Sequence, residues 1–306
     1  MLHTSPLLLI LSHHVFAKDK HSEHPTDGSI THAPYTTDRS TTETPTTTSI
    51  QTKKVLPSSD VMMGEYRKVK SLGSGVAGVV FEVEKGGKRF ALKKTKNRWD
   101  QGLKEEYDVL KTLDSEKGFP RAHSLFKCDG RDCMVMELVG PVVSNLQRDV
   151  PRFPDETVGS IGIQLLDRIE SMHKHGLTHG DLYRNNISPG RGEGKHTVFA
   201  IDFGQVRTNR PKKFDVKSVL CTIVGLLRIS ENCSHHADYS KDRSMLKKSP
   251  GPVSDLIKYV ETLDSHSKID YDRMRGYMER LIRGAGYEYK GEVIWPKEIM
   301  KSLEKY

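Results

Sequence analysis

One stretch of the chain constrains the possible folds more than any other. It reads His-Gly-Asp-Leu-Tyr-Arg-Asn-Asn over residues 179–186 and Ala-Ile-Asp-Phe-Gly over residues 200–204. Phosphoryl transfer needs one group that orients an attacking hydroxyl and two that hold Mg²⁺ against phosphates. We assign Asp181 to the first role and Asn186 with Asp202 to the second. Each motif alone also fits an ordinary turn or loop, so the prediction rests on their combination and on the strand-like apolar run before each.

Composition limits the partners of the chain. The 306 residues carry a formal net charge of +8. A basic surface could attract phosphate-rich ligands, nucleic acid, an acidic peptide or an anionic membrane. No basic run is interleaved with aromatic residues, so we interpret the charge as a solvated surface and expect no nucleic-acid partner.

The first 60 residues differ in composition from the rest. Residues 1–17 contain the run Leu-Leu-Leu-Ile-Leu and end in Val-Phe-Ala, which predicts a cleaved signal peptide, with a disordered apolar N-terminus as the alternative. Residues 18–60 are rich in Thr, Ser and Pro and are predicted to be disordered, because they cannot bury enough apolar area to offset the ordering entropy. We therefore expect a secreted protein or one in the secretory pathway, with delivery into host cells as a further destination. No later apolar run is long enough to predict a transmembrane segment.

The cysteine count leaves two interpretations open. The chain has four cysteines, Cys128, Cys133, Cys221 and Cys233. An even count permits two disulfides in an oxidising compartment, and a hairpin-like turn between Cys128 and Cys133 could bring those two together. Ordinary thiols fit the same spacing, because spacing alone does not establish a bond.

A glycine-rich turn and a lysine follow the predicted start of the folded part near residue 61. Glycines at the first, third and sixth positions of the turn allow a hairpin to lie close over phosphates. The next strand ends in Lys93, which would reach the phosphates if a carboxylate fixed it. Glu106, in a helix predicted over residues 102–113, is the candidate partner, and Glu105 is the alternative. The residues assigned here to nucleotide binding are Leu72, Gly73, Ser74, Gly75, Val76, Ala77, Gly78, Val80, Ala91 and Lys93.

A further strand carries a family resemblance. Residues 133–141 read Cys-Met-Val-Met-Glu-Leu-Val-Gly-Pro, a buried strand that leaves through a Gly-Pro break. This form resembles the hinge of the protein kinases, and within them the casein kinase 1 group. The resemblance implies that Met136 is the gatekeeper and that Glu137 and Leu138 lie on the hinge against adenine.

The resemblance extends through most of the folded chain. A helix is predicted over residues 155–175, with Asp155 as its N-cap, and it is similar to the helix that precedes the catalytic loop in the same group. Residues 270–295 resemble the closing segment of casein kinase 1 catalytic domains. The family implies an α+β bilobal fold over residues 61–306, with a β-rich N-lobe at 61–138 and a helical C-lobe at 139–306. It also implies ATP and Mg²⁺ as cofactors.

Three departures from the family pattern affect the expected activity. Gly180 stands where most protein kinases have an arginine that pairs with a phosphorylated activation loop. Only residues 205–214 separate the Asp-Phe-Gly motif from Asp215, which looks like the start of the next helix. Tyr183 replaces a lysine that usually contacts the γ-phosphate, and Arg184 is a candidate substitute. We infer a kinase that needs no loop phosphorylation.

The sequence thus predicts a monomeric Ser/Thr protein kinase whose partner is a protein substrate. Catalysis is assigned to Asp181, Lys93 and Glu106, and Mg²⁺ binding to Asn186 and Asp202. The His-Gly-Asp form is also typical of small-molecule phosphotransferases, so a small acceptor is the alternative. A pseudokinase that acts as a binding scaffold is a third possibility, although degenerate kinases usually lack one of these groups.

Overall fold

The structure is a computed structural model of the chain. It describes residues 61–75, 78–97, 102–230, 233 and 243–306. The predicted signal peptide, the predicted disordered segment at residues 18–60, and Val76 with Ala77 of the glycine-rich turn lie outside the described residues. These assignments therefore stay predictions.

The N-terminal part is an antiparallel sheet with one inserted helix. Its elements are β1 (Met62–Met63), β2 (Tyr66–Ser74), β3 (Gly78–Lys85), β4 (Lys88–Thr95), α1 (Gly102–Thr112), β5 (Ala122–Cys128) and β6 (Arg131–Glu137). The six strands lie in the order β1-β2-β3-β4-β6-β5. Because β4 lies between β3 and β6, Lys93 of β4 lies in the interior of the sheet and not at an edge.

A two-residue turn fixes the register of β3 and β4. Lys85 pairs with Lys88, so Gly86 and Gly87 form the whole connection, with φ values of 56° and 74°. Two positive φ values are what a type I′ turn requires, and glycine adopts them without strain. The resulting register places Lys93 opposite Val80 on β3.

The sheet separates two hydrophobic cores. The smaller core includes Tyr66, Leu92 and Val135. The larger core includes Met134 of β6 and Leu110 of α1 and continues through the helical part. Successive residues of a strand face opposite sides of a sheet, which is why Met134 and Val135 belong to different cores.

The C-terminal part is helical. Its elements are α2 (Val143–Leu146), α3 (Asp155–Lys174), β7 (Ile187–Pro189), β8 (Val198–Ala200), α4 (Lys213–Leu226), α5 (Arg243–Lys248), α6 (Gly251–Glu261), α7 (Tyr271–Gly284) and α8 (Lys297–Leu303). Within the part of the chain that the structure describes, no helix is both long enough and apolar enough to cross a bilayer. The architecture confirms the predicted α+β bilobal fold.

The helix predicted over residues 155–175 is α3, but its N-cap differs from the prediction. Pro154 is the N-cap residue, with extended backbone, and Asp155 begins the helix instead. The prediction of Asp155 as N-cap was wrong because an acidic residue is also favourable in the first turn, where it faces the positive end of the helix dipole. Sequence alone does not separate these two positions.

Two glycines allow α3 and α7 to approach closely. A Cβ atom on Gly159 would lie 2.6 Å from Cγ1 of Ile282, and one on Gly162 would lie 2.8 Å from the sulfur of Met278. A larger residue at either position would require the facing side chains or the helices themselves to shift. The helix that leads into the catalytic loop is therefore held by the closing segment of the fold.

All four cysteines are paired in disulfides. Cys128 and Cys133 bridge the β5–β6 hairpin, with their Cα atoms 6.0 Å apart. Cys221 of α4 is bonded to Cys233, with a Cα separation of 5.1 Å. Of the two interpretations that the sequence left open, the structure contains the disulfides.

The Cys221–Cys233 disulfide should contribute more stability than the hairpin disulfide. It closes a loop of 12 residues rather than 5, and a larger loop loses more entropy in the unfolded chain, so removal should lower the free energy of unfolding by about 2–4 kcal/mol. The measurement is denaturant unfolding of Cys221→Ser/Cys233→Ser beside Cys128→Ser/Cys133→Ser. Thiol labelling that detects four free cysteines in the native, unreduced protein would contradict the pairing.

Candidate active site

A cavity of about 490 Å³ is lined by residues of the sheet and of the helical part. The predicted nucleotide contacts that line it are Leu72, Gly73, Ser74, Gly75, Val80, Ala91, Lys93, Met136, Glu137 and Leu138. Glu106, Asn186 and Asp202 line it as well. Among the described residues, Gly78 and Asp181 were also predicted for the site but do not line the cavity. Gly78 lies at the base of the turn, where its backbone oxygen accepts from the N–H of Gly75 at 2.9 Å.

Lys93 is the centre of the site. Its Nζ lies 2.7 Å from both carboxylate oxygens of Glu106 and 2.9 Å from Oδ1 of Asp202. Lys93 is 6% exposed and Glu106 is 3% exposed. Of the two partners considered from the sequence, Glu106 makes this contact and Glu105 is exposed. One ammonium group therefore joins β4, α1 and the loop that carries Asp202.

The charged groups of this cluster shift one another's pKa values. Burial alone lowers the pKa of Lys93, but the charges of Glu106 and Asp202 outweigh burial and raise the pKa above its ordinary value. Burial alone raises the pKa of Asp202, but the charge of Lys93 and its hydrogen bond lower the pKa below its ordinary value. At neutral pH the cavity therefore presents a fixed cation and a fixed anion side by side.

Asp202 holds an unusual backbone conformation. Its φ is 64°, in the left-handed region that non-glycine residues rarely adopt and that is common at functional sites. The next glycine permits this arrangement, because a Cβ atom on Gly204 would lie only 3.2 Å from Oε1 of Glu106. The turn therefore brings Asp202 and Glu106 to the same ammonium group.

Asn186, which was predicted to bind the metal, is hydrogen-bonded to Asp181, the predicted catalytic residue. Its Nδ2 donates to both the backbone oxygen and Oδ2 of Asp181, each at 2.8 Å. The side chain of Asp181 is thereby oriented, although it does not line the cavity itself. Burial raises the pKa of Asp181 above its ordinary value, opposed by the hydrogen bond from Asn186.

A buried carboxylate, Asp215, accepts hydrogen bonds from the catalytic loop, the loop that carries Asp181. Its Oδ2 accepts from the backbone N–H of His179 and its Oδ1 accepts from that of Gly180, both at 2.8 Å. Nε2 of His173 lies 2.9 Å from Oδ2. From the sequence, Asp215 was predicted only to start a helix. The signal that could have identified it is an acidic residue within the apolar, buried face of α4.

Tyr183 and its candidate substitute Arg184 both lie outside the cavity. Tyr183 packs against the larger hydrophobic core. A Cβ atom on Gly225 of α4 would lie 3.0 Å from Nη1 of Arg184, so this guanidinium is at α4. The structure therefore does not place Arg184 among the residues that line the cavity.

The donor set fits a nucleotide that carries Mg²⁺. The carboxylate of Asp202 and the carboxamide oxygen of Asn186 are the hard donors that Mg²⁺ prefers, and Mg²⁺ usually completes its shell with water and phosphate oxygens. The amide nitrogen of Asn186 is engaged with Asp181, so its oxygen is the atom left for a cation. In the described ranges, no group of three or more His, Cys, Asp and Glu side chains could hold a metal by itself, as expected for a metal that shares its ligands with phosphates.

Comparison with known proteins gives a family match. The family described as "Protein kinase domain" matches residues 66–225. The chain is 30% identical over 154 residues to casein kinase I homolog RAG8 of Kluyveromyces lactis, which covers 48% of this chain and 29% of that protein. It is 28% identical over 158 residues to casein kinase I homolog 1 of Schizosaccharomyces pombe, which covers 50% of this chain and 35% of that protein.

A longer match is to a nematode protein. A Caenorhabditis elegans protein named as a serine/threonine-protein kinase is 25% identical over 301 residues, which covers 82% of this chain and 87% of that protein. The chain spans about a third of the length of the two casein kinase I homologs but most of the nematode protein.

The buried ring of His179 predicts a pH dependence of stability. Burial lowers the pKa of His179 below its ordinary value, and its Nδ1 accepts a hydrogen bond from the backbone of Asp181 at 3.3 Å. The unfolded chain binds a proton at this ring near about pH 6.5 whereas the folded chain does not, so stability is full above that pH and is lost below it.

We expect the free energy of unfolding to fall as the pH is lowered below about 6.5, and His179→Gln to make this decrease shallower. The measurement is urea unfolding at a series of pH values. His266→Gln, which changes an exposed histidine, is the matched control and should retain the full decrease. An unchanged slope in His179→Gln would contradict the assignment.

Proposed function

The chain belongs to the protein kinase family, whose domain matches residues 66–225, and we propose that it is an active Ser/Thr protein kinase. It would transfer the γ-phosphoryl group of ATP to a hydroxyl of a protein substrate and use Mg²⁺. The matches to casein kinase I homologs confirm the inferred resemblance to the casein kinase 1 group. The name of the nematode protein, a serine/threonine-protein kinase, supports Ser/Thr as the acceptor class.

One observation carries the proposal. Lys93 is bound at once by Glu106 of α1 and by Asp202 of the Asp-Phe-Gly turn. An active protein kinase needs both the lysine–glutamate pair and the metal-binding aspartate in place. A binding scaffold has no need to keep a cation buried between two carboxylates at the wall of a cavity.

Each group of the site then has one task. The turn between β2 and β3 covers the phosphates, and Lys93, fixed by Glu106, aligns them. Asn186 and Asp202 would hold Mg²⁺, which when bound would offset negative charge on the phosphoryl oxygens. Met136, Glu137 and Leu138 form the side of the cavity against which the adenine binds.

Asp181 acts on the acceptor. Its carboxylate, oriented by Asn186 and by the hydrogen bonds of the loop to Asp215, accepts the proton of the substrate hydroxyl and directs the oxygen toward the γ-phosphorus. The short connection over residues 205–214 supports constitutive activity, because the carboxylate is already held without a long loop that must first be ordered.

We also propose that the protein is secreted or resides in the secretory pathway. The two disulfides support this localisation, because disulfides persist in oxidising compartments and are rare in the cytosol. The predicted signal peptide at residues 1–17 points the same way. Delivery into host cells is the further destination that the same features allow.

Substitutions at Asp181 and Lys93 test the proposed chemistry. Asp181→Asn keeps an oxygen for the hydrogen bond from Asn186 but cannot accept the proton, so turnover should fall by about 10²–10⁴-fold with little change in Tm. Lys93→Met should also abolish most turnover, and it should lower Tm because it leaves Glu106 buried without a cation. Turnover is measured with labelled ATP and a degenerate peptide library containing Ser and Thr.

The neighbouring residue provides the matched control. Lys94 is adjacent to Lys93 on β4, and its Nζ lies 2.6 Å from Asp129 rather than in the cavity, so Lys94→Met should retain wild-type turnover. Wild-type rates in purified Asp181→Asn would remove Asp181 from the mechanism.

A second assay identifies the acceptor class. The wild type is incubated with labelled ATP and a cell lysate, which is then separated into protein and small-molecule fractions. Label in protein supports the proposal. Label confined to the small-molecule fraction would instead establish a small-molecule phosphotransferase, and nucleotide binding without any transfer would establish a scaffold.

A further inference from the structure

The guanidinium of Arg210 lies against the backbone of Gly180, the residue before Asp181. Gly180 has a φ of 81°, a left-handed conformation that favours glycine. A Cβ atom on Gly180 would lie 1.3 Å from Nη1 of Arg210 and 2.9 Å from the backbone oxygen of Gln205. The guanidinium of Arg210 therefore fills the volume in which any other residue at position 180 would place its side chain.

Arg210 also connects the catalytic loop to the segment that follows the Asp-Phe-Gly turn. Its Nη1 donates to the backbone oxygen of Gln205 at 3.1 Å, and its own backbone oxygen accepts from Oγ1 of Thr178 at 3.0 Å. Thr178 and Arg207 exchange two backbone hydrogen bonds, at 2.9 and 3.0 Å. The short segment over residues 205–210 is thus closed onto residues 178–181.

We propose that Arg210 is a positioning residue, which holds the catalytic loop and the shortened segment in the arrangement that phosphoryl transfer requires. This inference rests on the proposed function of the same site and adds the residue that makes loop phosphorylation unnecessary. The cation that fixes the catalytic loop is Arg210, which belongs to the shortened segment itself. Gly180 leaves space for its guanidinium because glycine has no side chain.

Charge and placement distinguish Arg210 from the other nearby arginines. The positive charge of Arg210 lowers the pKa of Asp181, although burial has the larger effect and raises it. Arg184 has its guanidinium at Gly225 of α4. Arg207 is exposed, and its Nη1 donates to the backbone oxygen of Val206, its own neighbour. Arg207 therefore offers a matched control within the same segment.

The first experiment compares Arg210→Gln with Arg207→Gln in the peptide-library assay. A small misplacement of a catalytic group can cost about 10²-fold, so Arg210→Gln should lower kcat by about 10- to 100-fold. The KM for ATP should change by less than about twofold, because Arg210 does not line the nucleotide cavity. Arg207→Gln should match the wild type, and Arg210→Lys, which keeps a charged donor, should recover part of kcat.

A reciprocal substitution tests the shared space. Gly180→Ala should lower both kcat and Tm, because its Cβ collides with the guanidinium. In the double variant Gly180→Ala/Arg210→Gln the flexible amide can withdraw, so the loss of Tm should be smaller than the sum of the two single losses. Strict additivity would show that the two residues do not share the space.

Hydrogen exchange gives a readout that does not depend on activity. Peptides that contain the amides of His179 and Gly180 should exchange faster in Arg210→Gln than in Arg207→Gln. Unchanged exchange together with unchanged kcat in Arg210→Gln, or an equal loss in Arg207→Gln, would overturn the inference. Failure of the proposed function is distinct, because it would appear as absent transfer by the wild type whatever the exchange rates of the variants.

Discussion

Lys93 lies where a lone cation would be costly, and the carboxylates of Glu106 and Asp202 are what make that position possible. Removing one member of a buried ion pair typically costs about 3–5 kcal/mol, because the remaining charge is left without a partner. The pair therefore ties the orientation of α1 to that of β4, and the third group adds the Asp-Phe-Gly turn. This single group of charges therefore joins three parts of the chain at the wall of the cavity.

The helical part also contains a buried charge that its neighbours stabilise, the carboxylate of Asp215. Asp215 is fully buried and is stabilised by two backbone N–H groups and by His173. Its hydrogen bonds and the charge of His173 lower the pKa of Asp215 below its ordinary value, against the effect of burial. A carboxylate that remains ionised inside the core can hold the backbone of the catalytic loop rigidly. The first cluster fixes residues that line the cavity, and the second fixes the loop that carries Asp181.

Local spacing explains which features the sequence could predict. The glycine turn, Lys93 and the Asp-Phe-Gly motif are short patterns that can be found in the sequence. For the partner of Lys93 the sequence left Glu105 as an alternative to Glu106, and the structure selects Glu106. The contacts of Asp215 and Arg210 were missed because they join positions about 30 residues or more apart, and no local pattern encodes such a pairing. The N-cap of α3 was wrong for a different reason, since acidic residues are favourable both at the cap and in the first turn. Cys221 could not be paired with Cys233 from the sequence, because the pairing depends on where α4 ends.

The close packing of α3 against α7 has a consequence for biosynthesis. Gly159 and Gly162 contact side chains of α7, and Oγ1 of Thr157 donates to the backbone oxygen of Ile294, a residue made 137 positions later. At translation rates of about 5–20 residues per second, the face of α3 that packs against α7 stays uncovered for about 7–27 seconds. The helical part cannot complete its core during that time, so the nascent chain exposes an apolar surface that a chaperone can bind.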